Sequence, residues 1–325
     1  MTLKQLWLIF SALIVSVLAG APAIAQPFPT KPIRLIVPFV SGGSSDALGR
    51  GLAKQLGEQM AVSVIVENRP GAGGNIGAEV VAKGQGDGHL LLFGTIGTHG
   101  IGPALYKQLP FDPIKDFAPI SLLHLLPNVL IVSNTLPVNS VRELIDFAKA
   151  NPGRVSFASA GNGSVSHLAG ELFKTETRTD MIHIPYKGGG AAMPDVISGR
   201  VSVMFETVTN ALAAARGGRV RALAVTGITR WKQAPELPTI AEAGVPGYRV
   251  DSWTGLLAPA SVPQPIADRL NAEVVKAAQN ANYREQMSAL GVEAVSSTPE
   301  EFRAFILEEV AKWRQAIQLS GAKID

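Results

Sequence analysis

Short apolar runs, often β-branched, alternate along this chain with longer stretches whose apolar positions recur every three or four residues. The first run, Ile33, Leu35, Ile36 and Val37, reads as a buried strand closed by Pro38. A loop of small residues follows, and then Leu48, Leu52 and Leu56 mark one face of a helix. Further strands are predicted over residues 62–67, 90–93, 155–158, 182–185, 201–205 and 220–226, the last apolar enough to be central, while 117–123 and 128–132 bracket a Leu-rich segment read as the first crossing into a second lobe and 253–258 leads the chain back. Helices are predicted over 76–82, 140–150 and 266–280, after His167, and before Gly199. Residues 235–248 read as a loop with one short helix. Phe302, Ile306, Val310, Trp313 and Ile317 fall at helical spacing near the C-terminus, a core stripe. Strand and helix in alternation predict an α/β fold.

The breaks between these runs share a chemistry. Ser41, Gly42, Gly43, Ser44 and Ser45 separate the first strand from its helix, and residues 68–75 and 94–98 are further small-residue loops. The arrangement recurs in the second half, where Ser159, Ala160, Gly161, Asn162, Gly163 and Ser164 lead to His167. A strand, a glycine-rich turn and a helix aim unpaired backbone N–H groups and a helix dipole at one spot, which suits an anion. Neither loop has the lysine of a phosphate-binding P-loop or the spacing of a dinucleotide site. The predicted ligand is a carboxylate, gripped by two such turns in a cleft beyond the carboxyl ends of the strands.

Composition narrows the setting. Residues 1–25 carry Lys4, an apolar run from Leu6 to Ala19 and Ala23-Ile24-Ala25, the pattern of a secretory signal peptide cleaved after Ala25. The 325-residue chain has no cysteine and hence no disulfides, compatible with a bacterial periplasm. What would remain, residues 26–325, is at the upper limit for one core, so two lobes are expected. A formal net charge of +3 without a Lys/Arg cluster argues against a nucleic-acid partner.

Several blocks resemble the Bug/TctC substrate-binding proteins of tripartite tricarboxylate transport systems. They are Pro38-Phe39 with Gly42-Gly43 and Asp46, Glu67 through Asn75, Leu109-Pro110-Phe111-Asp112-Pro113, and Ala160 through Ser164 with His167-Leu168-Ala169. His183-Ile184-Pro185-Tyr186-Lys187-Gly188, Arg221 through Thr226, Pro238-Thr239, Glu242-Ala243-Gly244 and Gly255-Leu256 follow in order. The resemblance implies a two-lobed periplasmic-binding-protein fold, type II-like. Each lobe would be a mixed, mainly parallel sheet flanked by helices, with two hinge crossovers. Lobe 1 would comprise 26–126 and 250–325, and lobe 2 127–249. It further implies a monomer without cofactor that closes on a small carboxylate (a di- or tricarboxylate, amino acid or aromatic acid) and delivers it to integral-membrane permease subunits. Departures from the family pattern are Gly49 in the first helix, Gly86 and His89 in place of Pro and Tyr, and Glu206 where Asp is common.

The expected ligand contacts are Ser41, Gly43, Ser44 and Asp46 on one side and Gly161, Asn162, Gly163 and Ser164 on the other. Asp46 either accepts a hydrogen bond from the ligand or complements its own helix dipole. His167 either donates to a carboxylate or packs at a helix start. Tyr186, Lys187 and Gly188 are placed near the anion, Asn75 and Thr95 as polar lining, and Phe39, with Trp253, as wall. Glu206, followed by Thr207, either pairs with a ligand amine or points away.

Two other classes use the same residues. A hydrolase or transferase would pair Ser164 or Ser166 with His167, but no G-x-S-x-G elbow or metal-binding His spacing accompanies them. Adjacent residues also leave a helix on different faces. An effector-binding lobe of a transcription regulator would need a DNA-binding segment, which no stretch supplies.

Overall fold

The computed structural model describes residues 28–106 and 108–320; the leader read over 1–25 lies outside the described residues. Each Gly/Ser-rich break falls where a strand gives way to a helix. β1 (Ile33–Val37) leads to α1 (Ser44–Met60), β2 (Val64–Asn68) to α2 (Asn75–Ala82), and β3 (Leu90–Thr95) through a π-helical turn to α3 (Gly102–Leu105). β4 (Phe117–Ser133) is followed by α4 (Val141–Ala150), β5 (Val155–Ser159) by α5 (Val165–Thr177), and β6 (Met181–Pro185) by α6 (Gly189–Ile197). β7 (Val203–Thr207) runs directly into α7 (Val208–Arg216), then β8 (Val220–Val225). The chain finishes with β9 (Asp251–Pro259), α8 (Gln264–Gln279), α9 (Ala281–Ala289), β10 (Glu293–Ala294) and α10 (Pro299–Ser320).

Two sheets share one strand. In the first, β2, β1, β3, β9 and β4 lie side by side, with β10 on the far edge of β4. In the second, β8, β4, β7, β5 and β6 do so. The β2–β1–β3 and β6–β5–β7 blocks are parallel, whereas every antiparallel pairing involves β4 or β9. The expectation of a mainly parallel sheet therefore holds for those two blocks and not around the crossing strands.

Three local expectations change. Residues 117–123 and 128–132, read as bracketing a crossing, form with the segment between them one continuous strand, β4, which Pro127 does not interrupt; its N-terminal part pairs with β9 and its C-terminal part with β7 and β8. β8 is an edge neighbour of β4 rather than central, with only an isolated bridge from Val225 to Thr239 beyond it. Residues 235–248 form hydrogen-bonded turns and no helix. There Thr239 Oγ1 accepts from Glu242 N–H while the Glu242 carboxylate accepts from Thr239 N–H, a capping box without the helix.

Packing explains two departures from the family pattern. A Cβ on Gly49 would come 2.7 Å from Val37, so the glycine lets α1 lie close on β1. A Cβ on Gly86 would meet the Val262 backbone at 2.6 Å. The C-terminal stripe is core as expected. Phe302 and Ile306 are buried, and the Trp253 ring meets Phe302 edge-on at 5.6 Å. Glu309, buried between them, is satisfied by Trp253 Nε1–H at 3.0 Å, Trp313 Nε1–H at 3.1 Å and Lys312 at 2.9 Å. Those bonds pin α10 against the first sheet.

Candidate functional site

Four helices begin at one place. α1 starts after Gly43, α5 after Ser164, α6 after Gly188 and α7 after Thr207, each following a strand of one sheet or the other. Their first-turn N–H groups have no intrahelical acceptors, and each brings the positive end of its dipole to the same cavity. They border a cavity of about 60 Å³, room for about four water-sized bodies. Phe39, Gly43, Ser44 and Thr95 line it from the first sheet, and Ser164, Glu206 and Thr207 from the second. The crossing strands add Asn128, Trp253 and Thr254.

The rims of the two halves meet around this cavity. Val40 N–H donates to the Lys187 carbonyl at 3.4 Å, and the Tyr106 hydroxyl donates to the Asn162 carbonyl at 2.7 Å. A Cβ on Gly190 would sit 3.0 Å from the Gly43 nitrogen, and one on Gly73 3.1 Å from the Gly163 carbonyl carbon. Ser44 and Thr207 share a hydroxyl–hydroxyl bond across the gap. The glycine contacts bring backbone to backbone because those loops lack side chains, and the Tyr106 and Ser44–Thr207 hydroxyls add bonds across the same rims.

Two lining side chains are unsatisfied. Thr95 Oγ1 and Asn128 Oδ1 are buried and have no hydrogen-bond partner among the described residues. Thr95 N–H and C=O are engaged by Thr98 Oγ1, so the Thr95 hydroxyl is left over. Asn128 Nδ2 donates to the Phe205 carbonyl at 2.9 Å, which fixes Oδ1 as the open end of that amide. Buried polar atoms are nearly always paired in a finished fold, so two orphans lining one cavity leave it open to a further hydrogen-bonding partner.

Glu206 is the ionisable side chain of the lining. Its Oε1 accepts from Thr207 Oγ1 at 2.6 Å, Thr207 N–H at 3.0 Å and Ser44 Oγ at 3.4 Å. Burial nonetheless dominates and pushes its carboxyl above the ordinary range, the Thr207 and Ser44 bonds only partly opposing it. A side chain at Gly189 would overlap Oε2, which accounts for the glycine.

Other expected contacts are turned elsewhere. Both Asp46 oxygens are taken, by Gly42 N–H, Arg50 and Asn68, each at 3.0 Å. Burial opposes its ionisation, but those donors outweigh it and hold the carboxyl below the usual value. His167 sits behind the second loop, accepting Gly163 N–H on Nδ1 at 3.2 Å and stacking on His183 at 4.2 Å. Burial first, then Lys174, lowers His167 to about 4, so it braces the loop as a neutral ring. The Tyr186 hydroxyl donates to Asp195 at 2.7 Å, Ser41 and Lys187 are exposed, and Asn75 is buried beneath Gly102. Gly161, Asn162, Gly163 and Gly188 form the rim rather than the lining.

Asn128 was not anticipated. Its signal was present as a polar residue inside an apolar run, but reading 117–123 and 128–132 as two segments around a crossing placed it at the start of one of them, where a polar side chain is unremarkable. Among the described residues no group of His, Asp and Glu is arranged to hold a metal ion.

Residues 48–322 match the family described as "Tripartite tricarboxylate transporter family receptor". The chain belongs to the TctC family. Protein BugT of Bordetella pertussis, strain Tohama I, is 35% identical over 325 residues, covering 100% of both chains. Among solved structures, R. palustris Rpa4515 with adipate superposes with a TM-score of 0.89 at 36% identity, covering 91% of this chain and 100% of that one. MatC from Rhodopseudomonas palustris with bound malate gives 0.84 at 32%, covering 89% and 100%. The TctC fold is a two-lobed α/β binding-protein fold, and this chain has it.

Proposed function

We propose that this protein is a periplasmic solute receptor. It captures a small carboxylate between its lobes and hands it to the permease of a tripartite tricarboxylate transporter. Lobe 1 is taken as residues 26–126 with 250–325, and lobe 2 as 127–249. The observation that carries the reading is the cavity at which four helix N-termini meet beside the unpaired Thr95 hydroxyl. Two structural relatives are described with bound adipate and bound malate, both small carboxylates.

Closure is the mechanism. A ligand that touches both halves binds the closed form better than the open one and shifts the equilibrium by that difference. Glycine-lined rims let the halves approach until backbone meets backbone, and the closed surface becomes the signal a permease reads. A Ser–His hydrolase is disfavoured by the bonding. Ser164 Oγ donates to the Gly161 carbonyl at 2.6 Å, Ser166 Oγ accepts from Ala160 N–H at 2.8 Å, and His167 Nδ1 accepts from Gly163 N–H. Calorimetry against a panel of carboxylates, with mass spectrometry of ligand carried through purification, tests the reading. One equivalent bound reversibly and recovered unchanged supports it; conversion of the bound acid to product refutes it.

A further inference from the structure

Asn75 is 3% exposed, and neither its Nδ2 nor its Oδ1 has a hydrogen-bond partner among the described residues. A whole amide left unpaired is a larger cost than one spare atom, and the cavity does not account for it, since Asn75 is not part of the lining. The residue opens α2, its own N–H bonded to the Ala72 carbonyl. Gly102 leaves room for the side chain, for a Cβ there would stand 3.1 Å from Asn75 Oδ1. Tyr106 is anchored to the same glycine, its N–H donating to the Gly102 carbonyl at 3.0 Å. Burial raises the pKa of the Tyr106 hydroxyl and Asn75 opposes that rise, so the amide lies within reach of the oxygen but without the alignment of a hydrogen bond. A hydroxyl has one proton to donate, and this one goes across the gap to the Asn162 carbonyl at 2.7 Å.

We infer that Asn75 is the second partner of the Tyr106 hydroxyl, receiving its proton on Oδ1 when the halves part, and is thereby a positioning residue that sets how readily the protein closes. This deepens the proposed function and rests on its two lobes. Asn162 belongs to lobe 2 and leaves with it, whereas Asn75, Gly102 and Tyr106 all belong to lobe 1 and stay together. Closing therefore exchanges one acceptor of the hydroxyl for another and orphans the Asn75 amide. The bond across the gap is the better aligned, so the hydroxyl still favours closure on balance. It favours closure by less than a newly made bond would, because it replaces one already present. The apparent dissociation constant varies inversely with the closed fraction of the free protein, so Asn75 tunes affinity without touching the ligand.

The test is a double-mutant cycle over Asn75→Ala and Tyr106→Phe. It is read by small-angle scattering of the ligand-free proteins and by calorimetry with adipate and with malate. Asn75→Ala removes the open-form partner and the closed-form orphan together. It is expected to be more compact than wild type without ligand and to bind about three- to tenfold tighter. In the Tyr106→Phe background the amide is unpaired in both forms, and the same change is expected to move affinity by less than about twofold. Binding weakened equally in both backgrounds makes Asn75 a structural group or one satisfied by ordered water. That result, or a wild-type radius and affinity in Asn75→Ala, overturns the inference and leaves the receptor reading standing. If wild type binds neither acid, that counts against the receptor reading, and the ligand-free radii still decide the inference. Asn75→Leu, close to the same shape without polar ends, repeats the test should the alanine variant fail to fold, and thermal melts identify that case.

Discussion

The Tyr106 hydroxyl donates to the Asn162 carbonyl at 2.7 Å, so the segment after α3 is tied to the second glycine loop. The ring also occupies the space that a side chain on Gly163 would need, 2.7 Å from the position of its Cβ. One residue therefore latches the closed form and shapes the loop it latches. Tyr106→Phe keeps the ring and removes the bond. We expect unchanged secondary structure and a roughly three- to tenfold loss of affinity, expressed as faster ligand release in stopped-flow measurements.

Gly190 tests closure by sterics. Its Cβ position lies 3.0 Å from the Gly43 nitrogen, 3.2 Å from the Gly42 carbonyl carbon, and on backbone that cannot swing aside. Gly190→Val is expected to hold the lobes apart. It should abolish measurable binding while the far-ultraviolet spectrum stays that of wild type, and small-angle scattering with ligand should show no contraction. Ligand binding of wild-type strength in this variant would refute the rim contact.

Thr95→Val should separate stability from function. The hydroxyl is buried without a partner, so replacing it by a methyl removes an unsatisfied group, worth about 1 kcal/mol of stability in the unliganded protein. The same change deletes a donor to the ligand carboxylate and should weaken binding by about tenfold. A melting temperature that rises while affinity falls is the signature. A fall in both would mean the hydroxyl is structural.

Much of this was legible from the residues, and the misses have a physical cause. β1, α1, α4 and α10 follow directly from their periodicity and caps, Glu143 N–H donating to Ser140 Oγ at 3.1 Å as the capping box requires. The loops were found because glycine is needed there; Gly161 and Gly163 have φ of 123° and 78°. Which loop residues face the ligand was not legible, because a loop's direction is set by what its partner lobe permits. Asp46 reads equally as a ligand contact and as a first-turn acid and is engaged by Arg50 and Asn68, while Asn128 reads as the start of a segment after a crossing and lies in the cavity wall.

The histidines set an acid limit. Burial lowers His99, His124 and His183 to about 3, His183 also feeling His167 and Lys174, and lowers His167 to about 4. Each is neutral in the fold and takes up a proton at an ordinary pH once unfolded, near 6.5. The unfolded state therefore binds more protons below about pH 6.5, so stability is full above that value and is lost as pH falls toward the folded-state values. The melting temperature should decline steadily from about pH 6.5 to about pH 4.5. A double change of His167 and His183 to Asn should flatten that slope, and a slope identical to wild type would exclude this stacked pair as its source.

β4 and β9 also decide when the molecule can assemble. Leu92 pairs with Leu257, so the ribosome must deliver residues through Pro259 before the first sheet has its inner neighbour. Until then β3 lacks the neighbour on its inner edge, whereas the strands of the second sheet are already all synthesised. Completion of the first sheet is thereby postponed until nearly the whole chain has been made.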